Sequence, residues 1–337
     1  MAKTQKNYQA WHVHAEDFSE DWPAIKILEF FARYALLAPS GHNTQPWLFV
    51  KENDSLLLQV NPARELPFSG ELAAEPYVSL GACLETFHLA ALGFGYRLTT
   101  DYLLDGKSMA RVSLNGRTTP QPELLTAITN RVSNRSLYKA QSPDDATLAD
   151  ITKHRFTRVS CHLVRDPVGI AYLSQKTLEA TAEIMTEQEF RSELSKWVRN
   201  NITRQHDGMP GFAQGMPTPP SLLAKHVVRR FDISKTQAKL DAKRVTHTPV
   251  VAIICATAAD PRAYLEVGML YASISVRATL AGVASGGVGA AAISPTTKSA
   301  VAKHFKLDDQ PTALMRLGYA TAPARHTPRW PIELVSK

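Results

Sequence analysis

Cysteine and long apolar runs are both scarce in this chain of 337 residues. The three cysteines, Cys83, Cys161 and Cys255, are odd in number and far apart, which argues against a disulfide scaffold and a cysteine-rich zinc site. The longest apolar runs, Val250–Ala256 and Ala290–Ile293, are much shorter than the roughly 18–20 residues of a membrane-spanning helix. Since the chain also opens on a polar stretch rather than an apolar leader, we expect a soluble, cytoplasmic protein.

Acidic residues are outnumbered only slightly, with 31 acidic against 38 basic side chains and a net charge of +7. The basic residues are spread along the chain, and no basic run alternates with aromatic residues as a nucleic-acid platform would. His12 and His14 have no carboxylate or histidine partners nearby in the sequence, so we expect solvated side chains and no metal site. These observations predict a small-molecule substrate and no nucleic-acid or membrane partner. The sequence has no identifiable interface, so a monomer and a homodimer both stay open.

Helical and strand-like segments alternate, which indicates an α/β or α+β protein with enough apolar residues, 44%, for a large core. A first helix follows Trp22-Pro23 and is stopped by Pro39-Ser40-Gly41. The later helices are predicted at Pro76–Leu92, Glu123–Thr129, Asp144–His154, Pro167–Thr186, Glu189–Asn200, Pro261–Ala281 and Pro295–His304. Strands are predicted at Trp47–Val50, Leu56–Val60, Arg97–Leu104, Ala110–Leu114, Val159–Val164, Val250–Ala256 and Ala313–Leu317.

Two of these helices repeat each other in the spacing of their small residues. The pattern Gly81-x7-Leu89-x-Ala91-x3-Gly95 recurs as Gly268-x7-Val276-x-Ala278-x3-Gly282. Small residues recur wherever helices pack closely, so chance is one explanation. The other is that the chain contains two related halves that divide near residues 116–125.

The first candidate site motif is the loop Ala38-Pro39-Ser40-Gly41-His42-Asn43-Thr44-Gln45-Pro46-Trp47. It is either a polar loop in which Trp47 anchors the next strand, or a loop whose amides, Ser40, Asn43 and Gln45 meet the edge of a planar ring. His42 could contact the ring or cap the turn.

The second candidate motif is Arg131-Val132-Ser133-Asn134-Arg135. In an extended segment the first, third and fifth side chains share one side, so two guanidinium groups and a hydroxyl converge. This set suits a phosphate dianion, since each charge-assisted hydrogen bond contributes about 1.5–3 kcal/mol. By itself the pattern is also compatible with a solvated surface.

Together the two motifs resemble those with which the FMN-dependent nitroreductase family binds its flavin. The helix pattern that ends at Gly282 and the sequence Leu317-Gly318-Tyr319 also resemble that family, and the resemblance extends from about residue 22 to 332. It implies an α+β nitroreductase-like fold with a central, mainly antiparallel sheet flanked by helices.

The order of the motifs differs from that of ordinary family members, which carry Arg-x-Ser-x-Arg first and the Pro-Ser…Pro-Trp motif later. Here each half keeps one of the two motifs, which resembles the fused-half, Acg-like subgroup. The resemblance implies a pseudo-dimer with one FMN per chain. Its parts are a tail at 1–20, a first half at 21–118, and a second half at 119–332 with an inserted lid at about 189–225.

The resemblance also implies which residues bind FMN. Arg131, Ser133 and Arg135 would hold the phosphate, with Arg325 or Arg329 from the C-terminal segment. Further contacts to the ring and ribityl chain would come from Pro39, Ser40, Gly41, Asn43, Gln45, Gly287, Gly289 and Ala290.

The loop Asp207–Pro220 is rich in proline and glycine yet carries large apolar side chains. It is either an inert connection or a lid in which Met209, Phe212 and Met216 cover the flavin, with His42 also facing the substrate.

For function, the resemblance implies hydride transfer through flavin N5 to a nitroaromatic, quinone or similar acceptor, with no catalytic side chain and with NADH or NADPH as reductant. One alternative is an FMN-storage protein whose lid blocks access. Another is a flavin-dependent dehydrogenase or flavin-fragmenting oxygenase on the same fold.

Overall fold

The structure is a computed structural model, which describes residues 5–66, 68, 74–154, 156–288, 294–332 and 334–336. It contains two sheets, of five and four strands, with helices packed around and between them. The prediction of an α+β fold with mainly antiparallel pairing is confirmed, although the pairing is divided between two sheets rather than gathered in one.

The first sheet belongs mostly to the N-terminal part of the chain. Its elements are α1 (Ala24–Ala35), β1 (Trp47–Glu52), β2 (Ser55–Val60), α2 (Ala74–Gly93), β3 (Tyr96–Tyr102), β4 (Ser108–Arg117) and β11 (Leu334–Ser336). The strand order is β11-β1-β2-β4-β3, and only β11 runs parallel to its neighbour. Helix α1 packs on the sheet through Ile27, Leu28, Phe31 and other apolar residues at helical spacing.

The second sheet has the order β5-β8-β10-β9 and is antiparallel throughout. Its central strand β8 is buried along its whole length, as its continuous apolar sequence requires. The strands are β5 (Val159–Val164), β8 (Val250–Ala256), β9 (Ala284–Gly287) and β10 (Gln310–Gly318). A separate parallel pair is formed by β6 (Val198–Arg199) and β7 (Met209–Pro210).

Nine further helices surround this sheet or link it to the first one. They are α3 (Pro122–Asn130), α4 (Asp145–Ile151), α5 (Pro167–Thr186), α6 (Gln188–Trp197), α7 (Thr218–Ser221), α8 (Ala224–Arg230), α9 (Ser234–Thr246), α10 (Pro261–Leu280) and α11 (Pro295–Phe305), counted within the described residues. Helix α10 contributes to the hydrophobic cores beside both sheets. Its residues Leu265 and Met269 belong to the core of the first sheet, and Val267 and Leu270 belong to a core of the second.

Helices α2 and α10 cross at the two glycines that the sequence repeat aligns. A Cβ on Gly81 would lie 1.9 Å from the Leu265 carbonyl oxygen, and one on Gly268 would lie 1.9 Å from the Val78 carbonyl oxygen. Each glycine therefore meets the residue three positions before the other glycine. Only a residue without a side chain permits this approach, and the contact is the same in both directions.

The N-terminal residues, predicted as a tail, are packed on the body of the protein. Short 3-10 helices span Lys6–Trp11 and Ala15–Asp17. Phe18 then joins an aromatic cluster, with its ring centroid 4.5 Å from that of Phe94. Within the part of the chain that the structure describes, no helix has both the length and the apolar character to cross a membrane.

Candidate functional site

The Arg-x-Ser-x-Arg segment leaves the end of α3 and runs beside β9. Ser133 forms an isolated parallel bridge with Ser285, and the Asn134 N–H donates to the Ser285 carbonyl over 2.8 Å. This pairing keeps the segment extended. As the spacing predicts, Arg131, Ser133 and Arg135 then lie along one small cavity, of about 60 Å³.

The small cavity is strongly cationic. Arg131 and Arg329 are each only 3% exposed. Burial lowers the pKa of Arg131 to about 10 and lowers the pKa values of Arg135 and Arg329, and the charge of Arg131 lowers that of Arg329 further. Arginine keeps its charge in proteins, so these groups repel one another and favour an anion between them.

No ion pair within the described residues neutralises this cluster, although the charge of Asp241 acts on Arg135. Among the described residues, Arg131, Arg135 and Arg329 form no ion pair, whereas the neighbouring Arg199 and Arg244 pair with Asp207 and Asp241 over 2.6 and 2.9 Å. Arg131 donates through Nη2 to the Leu37 carbonyl over 2.8 Å, but its buried Nη1 has no partner within the described chain. The cavity therefore contains a cationic N–H donor, Arg131 Nη1, that is free to bind a ligand.

The loop from Pro39 to Trp47 forms the opposite wall and has unusual backbone geometry. His42, Asn43 and Gln45 all have positive φ angles, of 48°, 59° and 55°. Non-glycine residues adopt this region only when their surroundings hold them there. Hydrogen bonds from Gly41 N–H to the Glu75 carboxylate and from Gln45 N–H to Ser40 Oγ, at 2.9 and 3.0 Å, contribute to that restraint.

The amides of Asn43 and Gln45 are largely occupied within the protein. Asn43 Nδ2 donates to the carbonyls of Gly208 and Pro328, each over 3.0 Å, and its Oδ1 accepts from Arg329. Gln45 is fully buried, donates to the His206 carbonyl over 2.9 Å and accepts from Trp330 N–H. Pro39, Ser40 and Asn43 line the small cavity, whereas Gln45 fixes the loop behind it.

The C-terminal segment closes the small cavity with two arginines. Arg325 lines the cavity and lies over the Phe212 ring, 4.3 Å from its centroid. Arg329 donates to the Ala38 carbonyl over 3.1 Å and to Thr327 Oγ1 over 2.7 Å. Of the two arginines predicted here, Arg329 therefore also supports the backbone at the end of the first helix.

A larger cavity, of about 280 Å³, adjoins the small one. The two share Arg135 and Met209, whose Nη1 and Sδ atoms are 3.8 Å apart. Most of the lining is apolar, and half of the lining residues come from helices α5, α6, α8 and α9. The apolar ones among these are Ile184, Met185, Phe190, Leu194, Ala224 and Val228, whereas α9 contributes Gln237, Asp241 and Arg244. The two cavities together fit a ligand with an anionic end and an apolar body.

His42 and Gly287 both line the larger cavity. Burial, aided by the charge of Arg135, lowers the pKa of His42 to about 4, so its ring is neutral near pH 7. Gly287 ends β9, where a Cβ would lie 2.8 Å from the Tyr271 hydroxyl. The predicted residues Gly289 and Ala290 lie outside the described residues.

The segment 207–220 lies against both cavities and is tied down at several points. Met209 is buried and lines both cavities, and Met216 lines the larger one. Asn201 donates to the Met216 carbonyl over 2.9 Å and accepts from Phe212 N–H over 2.6 Å. Gly208 has a φ of 74°, and a Cβ there would lie 2.4 Å from the Trp197 carbonyl oxygen, so this position requires glycine.

Several residues of the small cavity were not predicted from the sequence. Trp11 lines it, donates from Nε1 to the Thr327 carbonyl over 2.9 Å and stacks on His326 at 3.9 Å between ring centroids. Tyr8 and Trp11 in the otherwise polar N-terminal segment could have indicated that this segment packs on the protein, because large aromatic residues are seldom fully exposed. No group of three or more His, Cys, Asp or Glu side chains within the described residues is placed to hold a metal ion.

No protein-family model matches the chain. Among curated proteins, it is similar to two Mycobacterium tuberculosis proteins, from strains CDC 1551 and H37Rv, that are provisionally named NAD(P)H nitroreductases. In each comparison 24% of residues are identical over 335 positions, covering 93% of this chain and 94% of the other protein. The predicted resemblance to nitroreductases is confirmed, and membership of the fused-half subgroup stays a prediction.

Solved structures similar to the chain include two nitroreductases with bound FMN, from Bacteroides fragilis and Desulfitobacterium hafniense. Their sequences are 14% and 16% identical to this one, and their TM-scores are 0.38 and 0.39. Each match covers 61% of this chain and 94% of the other chain.

Proposed function

We propose that the protein is an FMN-dependent oxidoreductase of the nitroreductase type, with NADH or NADPH as donor and a nitroaromatic compound, quinone or similar small molecule as acceptor. The names of its M. tuberculosis relatives support this class. Bound FMN supplies the hydride chemistry, so no side chain has to act as nucleophile. The residues of the chain have to bind the cofactor, orient its ring and exclude competing reactants.

The observation that carries this proposal is the buried, unpaired arginine cluster beside an apolar cavity. Arg131, Arg135 and Ser133 converge on the small cavity, and Arg325 and Arg329 approach it from the C-terminal segment. Buried cations without partners destabilise a protein, whereas a phosphate dianion would accept their hydrogen bonds. The unpartnered Nη1 of Arg131 is available for one of these bonds.

The larger cavity suits the ring of a flavin. Met209 and Met216 offer thioether groups, which pack well on aromatic faces, and Gly287 leaves room because it has no side chain. The neutral His42 ring can donate one hydrogen bond and accept another. Segment 207–220 would cover this ring as the lid, with Phe212 on the side of Arg325.

We further propose that the chain is a fused pseudo-dimer with one FMN site. The reciprocal contact of Gly81 and Gly268 supports two halves related by a local two-fold axis. Each half supplies one wall of the small cavity, the Pro39–Trp47 loop from the first and the Arg131–Arg135 segment from the second.

The cofactor is tested by heating the purified protein, separating the released flavin by chromatography and measuring its amount against protein. We expect FMN at one per chain. FAD, or two FMN per chain, would contradict the assignment. Apoprotein of the double variant Arg131→Ala/Arg135→Ala should rebind FMN much more weakly, which links the result to this site.

Turnover is tested separately by mixing the FMN-loaded protein with NADH or NADPH in an anaerobic stopped-flow instrument. Rapid bleaching of the flavin, followed by reoxidation with a quinone or nitroaromatic compound, is the expected result. Bound FMN that neither nucleotide reduces would favour the storage hypothesis instead.

A further inference from the structure

The segment from Ser221 to Leu240, which contains α8 and the first half of α9, has apolar side chains on two opposite sides. Ala224 and Val228 face inward and line the larger cavity. Leu223 and Phe231 face solvent and are 63% and 61% exposed. The inner residues line the cavity, whereas the outer ones remain largely exposed to solvent.

The outward side chains form a concentration that is unusual for this protein. More than half of the large apolar side chains that are exposed in the described chain belong to this segment, namely Leu222, Leu223, Val227, Phe231 and Leu240. Ile202, 65% exposed, is on the adjoining loop, where Asn201 N–H donates to Ser221 Oγ over 3.1 Å. Apolar surface left in water costs about 25 cal/mol per Å², so such a cluster indicates an interaction surface.

The same face is positively charged. No acidic residue occurs between Asp207 and Asp232, and α8 carries the exposed Lys225, Arg229 and Arg230. Lys235 and Lys239 continue the exposed basic residues along α9. The one exposed acid among them, Asp232, accepts from Ser234 N–H over 2.9 Å. The face thus combines protruding apolar side chains with a net positive charge.

We propose that this face, residues 221–240, docks on the surface of an anionic lipid bilayer. Helices that lie at a bilayer surface have this combination, because apolar side chains enter the boundary with the acyl chains while Lys and Arg contact anionic headgroups. A second copy of the chain is the less suitable occupant, since it would bring two faces with the same positive charge together.

This proposal does not depend on the flavin. The sequence predicts no membrane partner because it has no apolar run long enough to span a bilayer. Docking on the bilayer surface does not require such a run. Docking would bring the larger cavity within about one helix diameter, roughly 10 Å, of the lipid, because Ala224 and Val228 form part of its wall.

Flotation of the full-length protein with vesicles tests the proposal. We expect it to float with vesicles of phosphatidylcholine mixed with phosphatidylglycerol, to remain unbound with phosphatidylcholine alone, and to detach as salt is raised. Absence of binding to the anionic vesicles would overturn the proposal.

Two double variants identify the surface. Leu223→Ser/Phe231→Ser should abolish flotation, and Arg229→Glu/Arg230→Glu should weaken it by at least about fivefold for each cation removed. Val168→Ser, at a position 73% exposed on α5, and Lys303→Glu, exposed on α11, are the matched controls and should float like the parent protein.

All altered positions are exposed, so thermal unfolding should be unchanged, and this is checked for each variant. Binding that survives the Leu223→Ser/Phe231→Ser change would overturn the assignment of this face. So would a dimer in sedimentation that the same change dissociates, because the face would then belong to a second copy.

Discussion

Arg131 donates a hydrogen bond from Nη2 to the Leu37 carbonyl, whereas its Nη1 has no partner among the described residues. We expect Arg131→Ala to weaken FMN binding by about 1.5–3 kcal/mol, the usual contribution of a charge-assisted hydrogen bond. Combined with Arg135→Ala, the loss should reach about 3–5 kcal/mol if the effects nearly add. Titration of the apoprotein with FMN in a calorimeter measures both.

The control for this prediction is Arg165→Ala, since Arg165 pairs with Asp145 on the surface and its side chain is 43% exposed. Arg131→Lys keeps the positive charge but lacks the planar guanidinium group. It should therefore bind FMN more tightly than Arg131→Ala but less tightly than the parent protein. Unchanged affinity in a folded Arg131→Ala/Arg135→Ala variant would exclude these residues as the phosphate site.

Among the secondary-structure elements, the crossing of α2 and α10 depends on glycine. In Gly268→Ala the new methyl group would lie 1.9 Å from the Val78 carbonyl oxygen and 2.9 Å from the Ala82 nitrogen. Backbone atoms cannot rotate away, so the helices must separate. The free energy of unfolding, measured by denaturant titration, should fall by about 1–3 kcal/mol or more.

Gly81→Ala should have a similar effect, because it meets Leu265 in the equivalent way. Gly93→Ala is the matched control on the same helix, since there the nearest atoms all belong to the Leu125 side chain, which can move. If Gly93→Ala were as destabilising as Gly268→Ala, backbone crowding at the crossing would not be the cause.

Asn201 is one of several residues that hold the segment 207–220, the predicted lid, in place. Asn201→Ala removes the hydrogen bonds to Met216 and Phe212, which should ease local opening by about 1–3 kcal/mol. Chymotrypsin should then cut after Phe212 about 5–150 times faster, as followed by mass spectrometry. The exposed Asn115→Ala is the control, and an unchanged cleavage rate would show that Asn201 does not restrain the segment.

Over the whole molecule, the buried carboxyl of Glu85 should make stability depend on pH. It lies in α2, is 2% exposed, and burial raises its pKa to about 8, an effect that Arg277 partly opposes. The folded protein therefore keeps this proton between the ordinary pKa of 4.5 and about 8, whereas the unfolded chain releases it. The contribution of the protonated group to stability is complete below pH 4.5 and is lost as the pH rises through 8.

Glu85→Gln mimics the protonated side chain and removes this dependence. Relative to the parent protein, its free energy of unfolding should rise by a few kcal/mol from about pH 5 to about pH 8.5. Denaturant titrations at both pH values measure the difference, with the exposed Glu123→Gln as control. A difference that stays constant with pH would mean that Glu85 is already ionised in the folded protein.

Much of the secondary structure follows from local sequence signals. Strand Val159–Val164 and helix Pro167–Thr186 occur at the predicted residues, because the helix start is encoded by Asp166 as N-cap and Pro167 as first residue. Strand β9 was missed because Ala284–Gly287 has no apolar alternation, and it forms only by pairing with β10. The sequence signals helix ends and apolar periodicity well, since both depend on neighbouring residues.

From the sequence alone, the spacing predicts that Arg131, Ser133 and Arg135 share one side, and the family resemblance assigns Pro39 and Ser40 to the same site. The packing of the whole chain was needed to show that Trp11 and Thr327 line the small cavity and that Gln45 binds backbone groups instead of lining it. It also decided that β11 joins the first sheet. These contacts join residues far apart in the chain, so their geometry depends on how the whole core packs rather than on any local pattern.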